Sequence, residues 1–457
     1  MDLKEAVNSY QEQLLKSLQE SIQIPSVEGE HTAEFPYGEM VQKSLDHALA
    51  TAKKLGFEVK DLEHQMGWCE YGEGDEMVAV LGHLDVVPEG DGWTVEPFGG
   101  EIRDGKIYGR GSMDDKGPAF AALYALAALR DSGLPLRRRI RILFGTNEET
   151  GSNDMKYYRN HGGEIPVMGI TPDGEYPVIN GEKGIINVTL GRKFAQEGDV
   201  RLVELQGGTA PNVVPAAAYA RVICPVELAE EYAKKSDGRI HYTKTAEGLL
   251  VEAAGVSAHG ASPELGINAL GLLVHALVQL PLAEEVHNWV TFLDEKLGLE
   301  TTGKSLGIEL EDEISGKLSL NWGTIQADEK EVSLKINYRY PVTRSYEDCA
   351  PILEKAFAEA GFSKLDERHK ASLYVPEDSE LVQKLMKVYK ENTGDEEAKP
   401  KSIGGGTYAK AIPNIVAFGP IFPGDEVREH KPDEFLEVEK LMQNVQILAQ
   451  AMYELAK

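Results

Sequence analysis

Met77–Trp93 reads MVAVLGHLDVVPEGDGW, and its first half decides the fold. Met77–Leu81 is a strand-like apolar run that breaks off at His83 and Asp85. Side chains alternate along a strand, so these two polar residues are expected to project from the same face. Placed together at the end of an apolar strand, they could hold a ligand.

The grammar of that stretch repeats downstream. AFAALYALAALRDSG reads as a helix closing near Gly133, RRIRILFGTNEE as a second strand and PVMGITPDG as a third. Strand, helix, strand in this order is the pattern of an α/β domain, a mixed and mostly parallel sheet flanked by helices. After Gly184 the character changes. INVTLGRKF, GLLVEAAGV, KLSLNWGTIQ and EVSLKINYRYPV suggest antiparallel strands, interleaved with helices in INALGLLVHALVQL and YEDCAPILEKAFAEAG. Helical grammar returns in SELVQKLMKVYKENTG and in a closing helix from Glu434. The chain is therefore expected to carry an inserted α+β domain over 184–376, with 1–183 and 377–457 completing the first domain.

Composition narrows the ligand. The chain has 457 residues, 42% of them hydrophobic, enough for two cores. Its formal net charge of −28 disfavours nucleic acid and anionic membrane surfaces as partners. Cys69, Cys224 and Cys349 lie far apart and form neither a disulfide framework nor a CxxC knuckle, which fits a reducing compartment. The amino terminus carries Leu14, Leu15, Leu18 and Ile22 at helical spacing without an apolar signal core, and no later stretch has membrane length. These features point to the cytoplasm.

Polar residues gather at the carboxyl ends of the expected strands: His83 and Asp85 at the first, Asn147, Glu148 and Glu149 at the second, Asp173 at the third. That edge of an open α/β sheet is where ligands bind. One imidazole among several carboxylates is a donor set suited to zinc or manganese, because the carboxylates would repel one another without a cation. Each element also has a plainer reading when taken alone. Asp114 and Asp115 in GRGSMDDKG could cap a helix, and TNEETG and TPDG could be exposed turns. Four such elements within one βαβ region are hard to assign to solvation alone.

The chain resembles the dinuclear zinc peptidases and deacylases, a family that includes aminoacylase, carnosinase-type dipeptidases and succinyl-diaminopimelate desuccinylase. GHLDVVP, GRGSMDDKG, TNEETG, PDGEYP and EHKPDE carry the resemblance and run in family order across nearly the whole chain. GHLDVVPEGDGW, GTNEETGSNDMKYY and PDGEYPVINGEKG look most like bacterial dipeptidases of the PepV type. The resemblance implies two divalent ions, zinc first, with manganese or cobalt as alternatives, and Asp114 as the bridging ligand. His83 and Asp173 would complete one ion's set, and Glu149 and His430 the other's. Asp85 would orient the His83 imidazole, and Glu148 would be the general base.

The resemblance also implies substrate contacts. His259 in GVSAHGASPELGINA would stabilise the reaction intermediate, and Asn212 and Arg339 would touch substrate, with Arg339 facing a carboxylate. Gly405 and Thr407 in the GGGT stretch would bring backbone amides to the same carboxylate. Read without the family, Arg339 is a surface charge at a strand end. The inserted domain would act as a lid, and its length suggests a monomer that supplies His259 from its own chain. The expected activity is hydrolysis of dipeptides with a free amino terminus, including β-Ala-His. The alternatives are deacylation of N-acyl or N-succinyl amino acids, and a noncatalytic binding protein on the same scaffold.

Overall fold

The computed structural model describes residues 2–235 and 238–457. It divides into two compact units: Met1–Asn180 with Val375–Lys401 and Thr407–Lys457, and Gly181–Tyr374 with Ser402–Gly406. The short segment Ser402–Gly406, expected with the closing part of the first domain, belongs to the second unit. Two hydrogen bonds explain this: Lys183 N–H donates to the Ile403 carbonyl at 3.1 Å, and the Gly404 carbonyl accepts from the Arg339 guanidinium at 2.7 Å.

The first unit is built on four parallel strands. Met77–His83 lies between Arg139–Gly145 and Met168–Thr171, and Ile415–Ala417 continues the parallel order beyond Met168–Thr171. Met77–His83 is buried at every residue, as a parallel strand covered on both faces should be. Two strands escaped the sequence reading at one edge, Glu58–Leu62 and Met66–Tyr71, which join antiparallel. Helix Lys116–Ser132 is buried from Lys116 through Leu129 and packs against Leu3–Ser9 and Val438–Ala456. A helix apolar on all sides is a core helix. It ends where expected, with Gly133 in the left-handed conformation (φ 68°) that suits glycine. The amino-terminal helix is two helices, Leu3–Ser9 and Gln11–Ile22, joined at Tyr10, whose hydroxyl donates to Asp131 at 2.5 Å. Leu14, Leu18 and Ile22 are all fully buried.

The second unit is an eight-stranded antiparallel sheet. Its longest pairing joins Gly184–Lys193 to Glu331–Tyr340, with Ile185 opposite Arg339 and Asn187 opposite Asn337. Alternation sends Ile186, Val188, Ile336 and Tyr338 into the core beneath helices Ala269–Val278, Glu284–Lys296 and Ala350–Glu359. Asn187, Asn337 and Arg339 therefore share the opposite face. Among the described residues no helix is long and apolar enough to cross a membrane.

Candidate active site

The strand that begins at Met77 ends at His83, so Asp85 is not its continuation. The two side chains meet nevertheless, because the chain turns: His83 Nδ1 lies 3.0 Å from the Asp85 carbonyl and 3.5 Å from its carboxylate. A carbonyl only accepts, so Nδ1 carries a proton, and Nε2 faces Asp114 as a second donor when the ring is charged. Nε2 sits 3.1 Å from Asp114 Oδ1.

Asp85 has a second duty that the sequence did not reveal. Its Oδ1 accepts the Glu148 N–H at 3.2 Å and its Oδ2 the Glu149 N–H at 3.1 Å. Asp154 does the same for the two preceding amides, accepting from Thr146 at 2.7 Å and Asn147 at 3.3 Å. Burial pushes the Asp154 carboxyl up to about 6. The loop bearing Glu148 and Glu149 is thus held along its backbone.

Asp114 sits on a loop gathered around another buried carboxylate. Glu434 Oε1 accepts the amides of Gly111, Met113 and Asp114 at 3.1, 2.9 and 3.2 Å, and Oε2 pairs with Arg110 at 2.5 Å. Strand Phe435–Glu437 pairs with Lys106–Tyr108, which brings the EHKPDE segment beside this loop. Asp115 stands at the N-cap of helix Lys116–Ser132 but makes no side-chain cap bond; its Oδ2 accepts the His83 N–H at 3.0 Å. The plain helix-capping reading of this acidic pair therefore fails for Asp115.

His430 approaches Asp114 from the other side. Its Nε2 lies 3.0 Å from Asp114 Oδ2 and 3.2 Å from Glu149 Oε1. Asp114 thereby presents one oxygen to each imidazole. Burial works against charge on Asp114, yet the bonds from His430 and His83 hold its carboxyl well below the usual range. The bonds to Asp114 and then Glu149 lift His430 to about 11, while burial raises the Glu149 carboxyl.

These donors fit a metal ion. One ring nitrogen of His83 and one carboxylate oxygen each from Asp114 and Glu149 lie within 4.8 Å of one another. Ligands at about 2.1 Å around a tetrahedral ion stand roughly 3.4 Å apart, close to the separations found here. Asp173 holds its place differently, with Oδ2 accepting the Tyr408 N–H at 2.9 Å. Burial and the charge of Glu148 push its carboxyl up.

The remaining expected residues lie in the second unit, apart from Thr407. His259 Nδ1 accepts the Ala261 N–H at 3.3 Å, which leaves Nε2 as a donor. Burial and the charge of Arg339 hold this imidazole below its ordinary value, hence neutral. Asn212 is exposed, and its carbonyl accepts the Gly260 N–H at 2.7 Å. Arg339 is buried, which removes the surface-charge reading; Nε donates to Asn337 at 3.1 Å. Gly405 and Thr407 fall in different units. Thr407 caps the 3₁₀ turn Tyr408–Ala411, its hydroxyl accepting from Ala409 at 3.1 Å.

The sequence profile of Peptidase family M20/M25/M40 matches residues 79–454. The chain belongs to this family. It is 40% identical over 98% of both chains to YtjP of Bacillus subtilis, a provisionally named dipeptidase. SH1171 of Staphylococcus haemolyticus, also provisionally named a dipeptidase, is 33% identical over 99% of both chains. Among solved structures, the di-peptidase Dug1p of Saccharomyces cerevisiae shares the fold, with TM-score 0.58 and 15% identity over 99% of this chain and 97% of that one. The expected family, fold and class of activity are borne out. This M20 chain is a metal-dependent hydrolase of peptide bonds.

Sequence reasoning missed the residues that hold the M20 site in shape. Glu434 lies inside EHKPDE and Asp154 just beyond TNEETG, so both were in view. Nothing in a single sequence distinguishes a carboxylate that gathers backbone amides from one that faces solvent.

Proposed function

We propose that this chain is a dinuclear, zinc-dependent dipeptidase of the cytoplasm, acting as a monomer on dipeptides with a free amino terminus, β-Ala-His among them. Manganese or cobalt can replace zinc in such a donor set. The observation that carries the reading is the Asp114 carboxylate, with one oxygen toward His83 and the other toward His430. Asp114 would contribute to holding both ions, His83 and Asp173 would complete the set for one, and Glu149 and His430 would complete the set for the other. When bound, the ions supply Lewis acidity toward the scissile carbonyl and acidify a water.

The chain's own residues do the rest. Glu148 takes the proton from the attacking water and delivers it to the leaving amine. Asp85 fixes the His83 tautomer by accepting at Nδ1. His259, neutral with a proton on Nε2, donates to the carbonyl oxygen as it gains charge. Arg339 takes the substrate carboxylate, assisted by Asn212 and by the backbone around Gly405 and Thr407.

The test is hydrolysis of one dipeptide in two forms, free and N-acetylated, with zinc or manganese restored. Cleavage of the free form alone supports the dipeptidase. Preferential release of acetate replaces it with the deacylase, and no turnover with metal bound revives a binding protein. The adjacency of a candidate base to a ligand, Glu148 to Glu149, favours an enzyme over that last reading.

A further inference from the structure

The loop that carries Glu148 ends against a buried pair for which the proposed mechanism has no role. Asp154 is fully buried, and the oxygen that accepts the Thr146 and Asn147 amides also accepts the hydroxyl of Tyr408. Tyr408 is buried as well, and it reaches two more elements of the site. Its amide donates to Asp173 at 2.9 Å, and its ring meets the His83 ring edge-on with centroids 5.9 Å apart. Room for the ring comes from Gly145, the last residue of the second parallel strand, where a Cβ would run into it.

We propose that Asp154 and Tyr408 are a positioning pair that sets the reach of Glu148 by fixing the Thr146–Asn147 backbone from which the base projects. The inference rests on Glu148 acting as the base. Asp85 takes the two amides of the far half of the loop, and Asp154 takes the two of the near half. Asp154 in turn accepts the Tyr408 hydroxyl, which reaches it from the 3₁₀ turn Tyr408–Ala411. A shift of about 1 Å in a catalytic group is enough to cost roughly 10²-fold in rate. Tyr408→Phe removes the hydroxyl but keeps the ring, the Asp173 amide bond and the packing against Gly145.

The experiment compares the metal-loaded full-length wild type with Tyr408→Phe, Asp154→Ala and the double variant, following kcat, KM, metal content and thermal melting. Both free and N-acetylated dipeptide are supplied, and whichever the wild type cleaves serves as substrate. A wrong substrate class therefore leaves this test standing. The expected result is a kcat lowered roughly tenfold or more in each single variant, with KM and metal content kept. The double variant should be no worse than the poorer single one, because both remove the same contact. Wild-type kcat in Tyr408→Phe overturns the proposal. So do losses that multiply in the double variant, or a kcat loss that tracks loss of metal. Should Tyr408→Phe fail to fold, Asp154→Ala alone decides by the same split between kcat and KM.

Discussion

Asp85 and Asp154 divide four consecutive backbone amides between them, Asp154 taking Thr146 and Asn147 and Asp85 taking Glu148 and Glu149. Asparagine at 85 keeps one acceptor oxygen and turns an NH2 group toward the other amide. Asp85→Asn is expected to lose about 10–100-fold in activity at saturating zinc, the usual cost of removing a support behind a metal ligand. Steady-state kinetics across a zinc titration check this, and a variant with wild-type rate would remove Asp85 from the mechanism.

Glu148 is expected to matter for turnover and not for metal. Glu148→Ala should lower kcat by at least about 10²-fold, within the range general-base catalysis contributes. Metal analysis of the purified variant should match the wild type. Loss of metal would place Glu148 among the ligands instead.

The pH dependence of stability follows from His430. In the metal-free protein, Asp114 and Glu149 hold its imidazolium and lift it from 6.5 to about 11. A folded-state value above the unfolded one lends stability that is whole below 6.5 and lost as pH climbs through about 11. A bound cation takes the proton's place, so the loaded protein escapes that loss. The gap in melting temperature between loaded and chelated protein should therefore widen on going from about pH 6.5 to about pH 9. A constant gap would show that His430 does not exchange a proton for the ion.

Glu434 is expected to be structural in its first effect. Glu434→Ala leaves the buried Arg110 guanidinium without its partner and three loop amides without an acceptor. Breaking a buried pair from one side costs about 3–5 kcal/mol, which urea denaturation reads directly. Glu434→Gln keeps an acceptor for the amides and should lose less. Equal stability in both variants would mean that the amides, not the charge, make no contribution.

Strand ends were the most legible part of this chain. Apolar runs identified Met77–His83, Arg139–Gly145 and Met168–Thr171, and polar punctuation placed His83, Glu148, Glu149 and Asp173 beside them. Such strands announce themselves because burial on both faces demands unbroken apolar runs. Ile415–Ala417 was passed over, being three residues long with its parallel partner far away in sequence. Asp85 was expected to share a strand face with His83, whereas a turn brings them together. The role of Asp85 toward the Glu148 loop was illegible because amide bonding depends on backbone path, not on residue type. Arg339 shows the converse. Its sequence context alone read as a surface charge at a strand end, whereas the strand that carries it pairs with Gly184–Lys193 and leaves it buried.

The first unit is assembled from separated segments, and this orders events during its synthesis. Asp173 leaves the ribosome early, whereas Tyr408, His430 and Glu434 follow only after the whole inserted antiparallel sheet. At about 5–20 residues per second, tens of seconds separate the two. Until then Met168–Thr171 lacks the parallel neighbour that Ile415–Ala417 provides in the folded chain. On the proposed ligand set, a chain truncated before His430 would carry His83, Asp114, Glu149 and Asp173 but lack the imidazole that faces Asp114 Oδ2.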